Sequence, residues 1–334
     1  MPRQGRLDFT GALHHVIIRG VARARIFDDK TDYERFIMCM GELVGKTDTA
    51  CFAWALLPNH SHLLLGTGKK PLSWFMQRLL TRYAIYYNLR HERIGHLFQN
   101  RYKSILCEKE DYLLELVRYI HLNPLRAGLV ENLKELARYP WCGHGALTGE
   151  KQIGWQQTRA ILGLFSRGRL KARGAYEEFL REGIKMGRRE DLQGGGVVRS
   201  LGGMTEYIRR TKAGEEFRGD ERILGSDEFI RDVLRDKETT ETERSRLRLS
   251  GWDVKKVLDR VASLTGLEVG NMIGNGKRPK QCLARRLACK WLVEDLGYKE
   301  VDVARVLGIG QPAVSQSVEQ GRKEELRLSL KLGM

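Results

Sequence analysis

A short apolar stretch with two histidines constrains the fold of this chain more than any other feature. It runs Leu56-Leu57-Pro58-Asn59-His60-Ser61-His62-Leu63-Leu64-Leu65. The apolar flanks predict two strands, and Pro58-Asn59 predicts the turn between them. Residues two apart on a strand project from the same face, so His60 and His62 could chelate one metal ion. The alternative is two ordinary histidines on a half-exposed strand.

A second stretch, from Glu110 to Pro124, predicts an amphipathic helix, with apolar residues at i, i+3, i+4 and i+7. Pro124 is expected to end the helix, because the residue before a proline avoids the α region. Tyr119 and Asn123 are four residues apart and therefore share a face, off the centre of the apolar stripe. This pair can bring a nucleophile and a metal-ligating oxygen to one place. The alternative is a tyrosine that packs at the edge of the stripe and an asparagine that satisfies the helix end.

Together the two stretches resemble the single-tyrosine HUH transposases, in particular the REP-associated tyrosine transposases. The matching segments are Pro58–Leu63 and Arg118–Gly128, with further matches at His15–Gly20 and Gly95–Ser104. They occur in the order typical of the family across about the first 145 residues. The middle residue of the HUH motif is usually bulky and apolar, whereas here it is Ser61, which faces away from the metal side of the strand.

The resemblance implies a metal-dependent endonuclease and strand transferase that acts on single-stranded DNA, a transposase whose targets are hairpins or palindromic repeats. Tyr119 is the expected nucleophile and would form a covalent phosphotyrosine. His60, His62 and Asn123 are the expected metal ligands, and such a mixed set with open positions suits Mg²⁺ or Mn²⁺. The resemblance also implies a link to the 5′ phosphate, a free 3′ hydroxyl that can rejoin, and a homodimer.

The predicted elements of the first domain follow the order β-α-β-β-α-β, with the tyrosine helix after them. This is the split β-α-β arrangement of ferredoxin-like folds, in which the first and third strands are central neighbours. The histidine face of the sheet could be open to substrate if helices cover the other face. We expect an α+β chain with a ferredoxin-like HUH domain (residues 1–148), a helical and linker region (149–246) and a C-terminal helix-turn-helix domain (247–334). An acidic linker is expected at residues 238–243.

The last segment predicts two helices around a tight turn. Lys299–Leu307 and Gln311–Gln320 have helical apolar patterns, and Gly308–Gly310 lies between them. The segment resembles the C-terminal DNA-binding domain of the bacterial chromosomal replication initiator, through Arg285–Ala288 and Ala304–Leu307. The alternative is a helical oligomerisation module.

Two groups of residues in this segment are expected to contact duplex DNA. Gln311, Ser315 and Gln316 lie early in the second helix of the pair, where side chains could face bases. Lys277 and Arg278 begin a basic run that contains no acidic residue.

The charge balance favours a polyanionic partner, because 58 Lys and Arg face 42 Asp and Glu, a formal net charge of +16. In the first domain Arg19, Arg101 and Lys103 are the expected DNA contacts. Charge alone would also fit a membrane-surface or ribosome-associated protein. We expect neither a signal peptide nor a membrane span, and the six cysteines are scattered without a Cys-x-x-Cys pair. A reduced, cytoplasmic and nucleoid-associated location is expected.

Two other functions fit parts of the sequence. One is a non-catalytic DNA-binding regulator derived from a transposase, which Ser61 and the helix-turn-helix pattern favour. The other is an RNA-binding protein that uses the sheet as a stacking platform. The first would bind DNA without nicking it, and the second would prefer RNA.

Overall fold

The computed structural model describes residues 7–187, 189, 192, 220 and 222–332 of the 334-residue chain. The chain divides into two compact units, Met1–Val233 and Leu234–Met334. Residues 193–219, which belong to the predicted helical and linker region, lie outside the described residues.

Five strands form one mixed sheet in the first unit. They are β1 (Leu13–Arg19), β2 (Ala50–Leu57), β3 (His60–Gly66), β4 (Lys103–Cys107) and β5 (Ile223–Leu224). Their order across the sheet is β2-β3-β1-β4-β5, and every pair is antiparallel except β4 and β5. The first and third strands are therefore neighbours, as predicted. The sequence did not predict β5, because a two-residue strand is too short to show an alternating pattern.

Among the described residues, eight α-helices of the first unit precede β5. They are α1 (Lys30–Thr47), α2 (Leu72–Arg90), α3 (Lys109–His121), α4 (Asn123–Arg126), α5 (Leu133–Arg138), α6 (His144–Thr148), α7 (Thr158–Gly163) and α8 (Arg169–Lys185). The order β1-α1-β2-β3-α2-β4 is the expected β-α-β-β-α-β order. Asp29 caps α1, because its carboxylate accepts hydrogen bonds from the backbone N–H groups of Thr31 (2.9 Å) and Asp32 (3.2 Å).

Helices cover both faces of the sheet. α1 and α2 pack on the face that carries Ile18 and Leu65, and α3 packs on the face that carries Ile17 and Leu64. His62 lies opposite Ile17 in the β1–β3 pair and so faces α3. The expectation of an open histidine face is therefore wrong, since His62 is only 3% exposed. A cleft lined by both histidines opens at the edge where β1 ends and β3 begins.

The tyrosine helix ends earlier than the sequence predicted. α3 ends at His121, and Asn123 begins the short helix α4, with Pro124 in its first turn. A proline is tolerated there because the first N–H groups of a helix have no partner within it. Asn123 therefore belongs to the next helix. Its Nδ2 nevertheless donates a hydrogen bond to the backbone carbonyl of Tyr119 at 2.9 Å, which keeps the two residues together.

The second unit is helical. Helix α9 (Asp227–Leu249) begins in the first unit and continues into the second. It is followed by α10 (Val254–Thr265), α11 (Pro279–Lys290), α12 (Glu300–Leu307) and α13 (Gln311–Arg327). Residues 238–243, for which the sequence predicted an acidic linker, lie within α9. Its polar composition suits an exposed helix as well as a linker, and composition alone does not separate the two.

α12 and α13 are joined by three residues. Gly308 ends α12 with a φ of 63°, a left-handed conformation that glycine adopts without strain. Leu307 from α12 and Val314 from α13 are buried in the same core as Trp291, which lies just after α11. Over the residues that the structure describes, no helix has the length and apolar character that crossing a membrane would require.

Candidate active site

A cleft of about 440 Å³ lies where β1 ends and β3 begins, beside the junction of α3 and α4. His60, His62, Tyr119 and Asn123 all line it. The β-turn and the helix junction thus bring together the four residues that the sequence predicted for metal binding and nucleophilic attack, although more than fifty residues separate the two segments in the chain.

The aromatic rings in the cleft are close neighbours. The ring centroids of His60 and His62 are 5.3 Å apart, and those of His62 and Tyr119 are 5.7 Å apart. A third histidine, His15 on β1, lies 5.2 Å from His62 and 5.7 Å from Tyr119 by the same measure. His62 therefore has three aromatic neighbours: His60 and Tyr119, which line the cleft, and His15, which is fully buried.

Hydrogen bonds fix which nitrogen of His62 carries the proton. His15 Nδ1 lies 3.0 Å from the carbonyl oxygen of Leu192, which can only accept, so this nitrogen donates. In a neutral His15 the other nitrogen, Nε2, is then an acceptor, and it lies 3.0 Å from His62 Nδ1. His62 must therefore be protonated at Nδ1, which leaves its Nε2 with a free lone pair.

His60 and Asn123 are oriented in a similar way. His60 Nδ1 donates to Asn59 Oδ1 at 2.7 Å, so its Nε2 also keeps a lone pair. The Nδ2 of Asn123 donates to the carbonyl of Tyr119, which leaves Oδ1 as the acceptor atom of that side chain. A partner on the far nitrogen or oxygen is typical of metal ligands, because it holds the ligating atom in one orientation.

Burial keeps these imidazoles neutral. It lowers the pKa of His60 to about 4, with a further contribution from the charge of Arg19. Burial likewise lowers the pKa of His15 to about 4, and it lowers that of His62 well below 6.5, with help from the two neighbouring histidines. Two neutral imidazole nitrogens and one amide oxygen are a donor set that fits a Mg²⁺ or Mn²⁺ ion with open positions.

The rest of the cleft is cationic. Arg19, Arg23, Arg126 and Arg189 contribute to its lining, and the described residues that line it include no aspartate or glutamate. Such a surface attracts anions, and phosphate is the anion that guanidinium groups bind with the best geometric match. Glu115, a half-buried residue of α3, is held by Arg118, whose Nη2 donates to its two carboxylate oxygens at 2.6 and 2.7 Å.

The predicted DNA contacts of the first domain are only partly brought together. Arg19 lines the cleft beside His60, its partner in the β1–β3 pair. Arg101 and Lys103 are exposed just before and at the start of β4 and do not line the cleft. Lys103 still acts on the site at a distance, because its charge contributes to the lowered pKa of His15.

A second cluster has the spacing of a metal site but is already satisfied. Ligand atoms of Asp28, Asp32 and His91 lie within 4.8 Å of one another. Asp32 is fully buried, and its two carboxylate oxygens accept from Arg90 Nη1 at 2.7 Å and from His91 Nε2 at 3.0 Å. These contacts make the cluster an ion-pair network that joins the start of α1 to the end of α2.

The basic run of the second unit divides into two parts. Lys277 and Arg278 are exposed just before α11. Arg285 instead donates to the carbonyl of Gly274 at 2.9 Å, Arg286 pairs with Glu324 at 2.9 Å, and Lys290 pairs with Asp295 at 2.9 Å. Lys277 and Arg278 are thus exposed to solvent, while Arg285, Arg286 and Lys290 make contacts that stabilise the fold.

Gln311 and Gln316 are exposed on α13, and Ser315 is half-buried. The hydroxyl of Ser315 donates to Glu300 at 2.7 Å, and Gln311 Nε2 lies 3.5 Å from the same carboxylate. This face of α13 therefore carries an acid as well as the predicted base-contacting residues.

The sequence did not assign Arg126 or Asn59 to the site. A weak signal for Arg126 existed, since it lies seven residues after Tyr119, a spacing that returns to the same face of a helix. Asn59 was interpreted only as a turn residue.

Residues 9–123 match the family model described as "Transposase IS200 like". The match covers about a third of the chain and includes all four residues of the candidate site. Residues 9–123 are thus similar to IS200-like transposases. One solved structure, "Structure of the REP associates tyrosine transposase bound to a REP hairpin", is 14% identical, covers 47% of this chain and 98% of its own, and has a TM-score of 0.38. No curated protein matches the chain.

Proposed function

We propose that this chain is a metal-dependent single-stranded DNA endonuclease and strand transferase that acts through a covalent link to Tyr119. One observation carries the proposal: Tyr119 shares a cationic cleft with His60, His62 and Asn123, whose ligating atoms are all available. The match to IS200-like transposases over these residues supports it.

In the proposed reaction the Tyr119 hydroxyl oxygen attacks the scissile phosphorus and loses its proton. The phosphorus–oxygen bond to the 3′ side breaks, and that oxygen leaves as a free 3′ hydroxyl after it takes up a proton. The phosphotyrosine conserves the energy of the phosphodiester, so the reverse attack by a 3′ hydroxyl rejoins DNA without an energy cofactor. His60, His62 and Asn123 would hold Mg²⁺ or Mn²⁺, which supplies charge that polarises the phosphate.

Tyr119 needs positioning, because a free tyrosine has a pKa of about 10 and is mostly protonated at neutral pH. Its side chain is 4% exposed and its backbone carbonyl is held by Asn123, so the ring has few orientations. A nucleophile held in line with its target gains rate from orientation alone.

The test is a covalent adduct between the full chain and single-stranded hairpin DNA in the presence of Mn²⁺, detected on a denaturing gel. The Tyr119→Phe variant should bind the DNA but form no adduct. Tyr112→Phe, on the same helix, is the matched control and should form it. An undiminished adduct with Tyr119→Phe would refute the assignment of the nucleophile.

We also propose that the second unit binds duplex DNA. The exposure of Lys277 and Arg278 and the position of Gln311, Ser315 and Gln316 early in α13 support this role. In the full chain, replacing the two basic residues with Gln should weaken binding to all duplexes and flatten its salt dependence, because phosphate contacts release counterions. Replacing Gln311 and Gln316 with Ala should reduce sequence preference more than affinity.

The same experiments separate the alternative function. A non-catalytic regulator would bind duplex DNA through the second unit and give no adduct with any hairpin. A homodimer is part of the proposal and is tested by light scattering on the DNA-free and DNA-bound chain. A cytoplasmic, nucleoid-associated location is likewise proposed and would be seen by imaging the tagged chain in cells.

A further inference from the structure

Arg126 lines the cleft and carries a buried, unsatisfied donor atom. It lies on α4, and its Nη1 atom is buried and has no hydrogen-bond partner among the residues that the structure describes. Its Nη2 donates to the carbonyl of Gly183 on α8 at 3.3 Å. Its guanidinium carbon is 5.6 Å from the centroid of the Tyr119 ring. Within the described part of the chain, one edge of the guanidinium is thus held by Gly183, while Nη1 has no acceptor.

A buried cationic donor without an acceptor is unfavourable, because it has lost its hydration and gained nothing in return. Burial is the main cause of a lowered pKa at Arg126, and the neighbouring charges of Arg118 and Arg189 lower that pKa further. Arg118, by contrast, donates to both oxygens of Glu115 and stacks on Phe179. An anion that enters the cleft would accept a hydrogen bond from Arg126, as the Glu115 carboxylate does from Arg118.

The chemistry of the cleft indicates which anion this is. The described lining is rich in arginine and contains no acid, so a negatively charged ligand meets no repulsion there. A phosphodiester offers two non-bridging oxygens and a single charge, which suits the donor geometry of a guanidinium. The guanidinium carbon of Arg126 lies 5.6 Å from the centroid of the Tyr119 ring, so a phosphate bound to Arg126 would lie near Tyr119.

We propose that Arg126 binds a non-bridging oxygen of the scissile phosphate through its Nη1 and holds that phosphate beside Tyr119. This inference rests on the proposed function and adds a substrate-binding residue to it. The contact with Gly183 orients the guanidinium but leaves Nη1 for the ligand. A purely structural arginine would instead act only by joining α4 to α8.

The first arm of the test measures phosphate binding without any chemistry. A fluorescent oligothymidylate is bound to the full chain and displaced by orthophosphate, with chloride at matched ionic strength as the blank. Arg126→Gln should weaken the affinity for orthophosphate about tenfold to a hundredfold, the size expected for a lost charge-assisted hydrogen bond. Arg78→Gln, which removes an arginine stacked on Trp74 outside the cleft, is the matched control and should leave the affinity unchanged.

The second arm separates a phosphate contact from a structural role. An oligothymidylate with neutral methylphosphonate links should lose much less affinity in Arg126→Gln than the charged oligothymidylate does. Its remaining phosphoryl oxygen can still accept a hydrogen bond, but the link has no negative charge to pair with the guanidinium. If Arg126→Gln does not fold, Arg126→Lys keeps the charge and should show a smaller loss of the same kind. An equal loss for the charged and neutral probes, or unchanged orthophosphate affinity in both variants, would overturn the proposal.

The outcome is independent of the nicking test. An adduct at Tyr119 together with orthophosphate binding that ignores Arg126 would refute this inference and leave the proposed function intact. Orthophosphate binding that depends on Arg126, in a chain that never forms an adduct, would support the phosphate site and refute catalysis.

Discussion

Replacing His15 with Leu should weaken Mn²⁺ binding although His15 is not a ligand. The change removes the nitrogen that accepts the His62 Nδ1 proton at 3.0 Å, in a place where no water replaces it because both residues are buried. His62 then either keeps an unpaired buried N–H or moves the proton to Nε2, the atom that would bind the metal. Either way, one ligand is no longer held ready.

The magnitude follows from two estimates that agree. A buried donor left without an acceptor costs about 1–3 kcal/mol. Loss of a partner that orients a metal ligand typically weakens metal affinity about tenfold to a hundredfold, which corresponds to about 1.4–2.8 kcal/mol. We therefore expect Mn²⁺ affinity to fall by one to two orders of magnitude in His15→Leu. The metal needs the lone pair of His62 Nε2, so the proton must stay on Nδ1, where it has no acceptor.

Calorimetric titration of Mn²⁺ into the full chain measures the effect, and two further variants define it. His15→Gln places an amide oxygen near the position of the lost Nε2 and should recover most of the affinity. His14→Leu alters the neighbouring residue on the opposite face of β1, where it contacts Asp8, and should not change Mn²⁺ binding. Nitrogen NMR of the imidazoles should find His62 protonated at Nδ1. A folded His15→Leu chain that binds Mn²⁺ as tightly as the unchanged chain would refute the reasoning.

Two other predictions concern acidity and packing. Because burial lowers the pKa of His60 to about 4, Mn²⁺ affinity should change less than twofold between about pH 7.5 and pH 5.5. A site made of two exposed histidines would lose about a hundredfold in Mn²⁺ affinity over the same range. Calorimetric titration at both pH values distinguishes the two cases. The pH dependence of the free energy of unfolding should have the opposite sign to that of a salt-bridged histidine, because the pKa of His15 is lowered in the folded state. The contribution of His15 to stability is therefore present above pH 6.5 and is lost as the pH falls toward 4. Urea unfolding across that range measures this loss. Ser61 is fully buried on the α1–α2 side, and its hydroxyl has no partner among the described residues, so Ser61→Ala should raise the free energy of unfolding by about 1 kcal/mol without affecting Mn²⁺ binding. A destabilised Ser61→Ala chain would mean that the hydroxyl does make a hydrogen bond.

The arrangement of the ligands was predictable because it depends on local geometry. His60 and His62 share a face through the two-residue period of a strand, and Tyr119 and Asn123 stay together through the four-residue spacing of a helix. That second pairing survives although Asn123 starts a new helix, because the hydrogen bond from its side chain to the Tyr119 carbonyl spans the same four residues. Local periodicity is enough for such pairs.

The partners of those residues were not predictable, because they depend on contacts distant in the chain. His15 contacts His62 only because β1 and β3 pair in one particular register, and its other partner, Leu192, is 177 residues away. The basic run raises the same difficulty, since nothing in its sequence separates the exposed Lys277 from Arg285, which is turned inward onto Gly274. Only tertiary packing decides which charges are left for a partner.

Burial sorts the cleft into two kinds of group, and this follows from intrinsic pKa values. An imidazole begins near 6.5, so desolvation is enough to make His60 and His62 neutral at physiological pH and ready to bind a metal. The intrinsic pKa of a guanidinium lies above 12, so the same desolvation lowers the pKa of Arg126 but leaves the side chain charged at physiological pH. A single buried edge of the sheet can therefore hold neutral ligands for a cation and fixed positive charge for a phosphate within one cleft. Neither class of residue could replace the other there, since a basic side chain such as lysine at position 60 would stay charged where a neutral ligand is needed, and a histidine at position 126 would be neutral where a positive charge is needed.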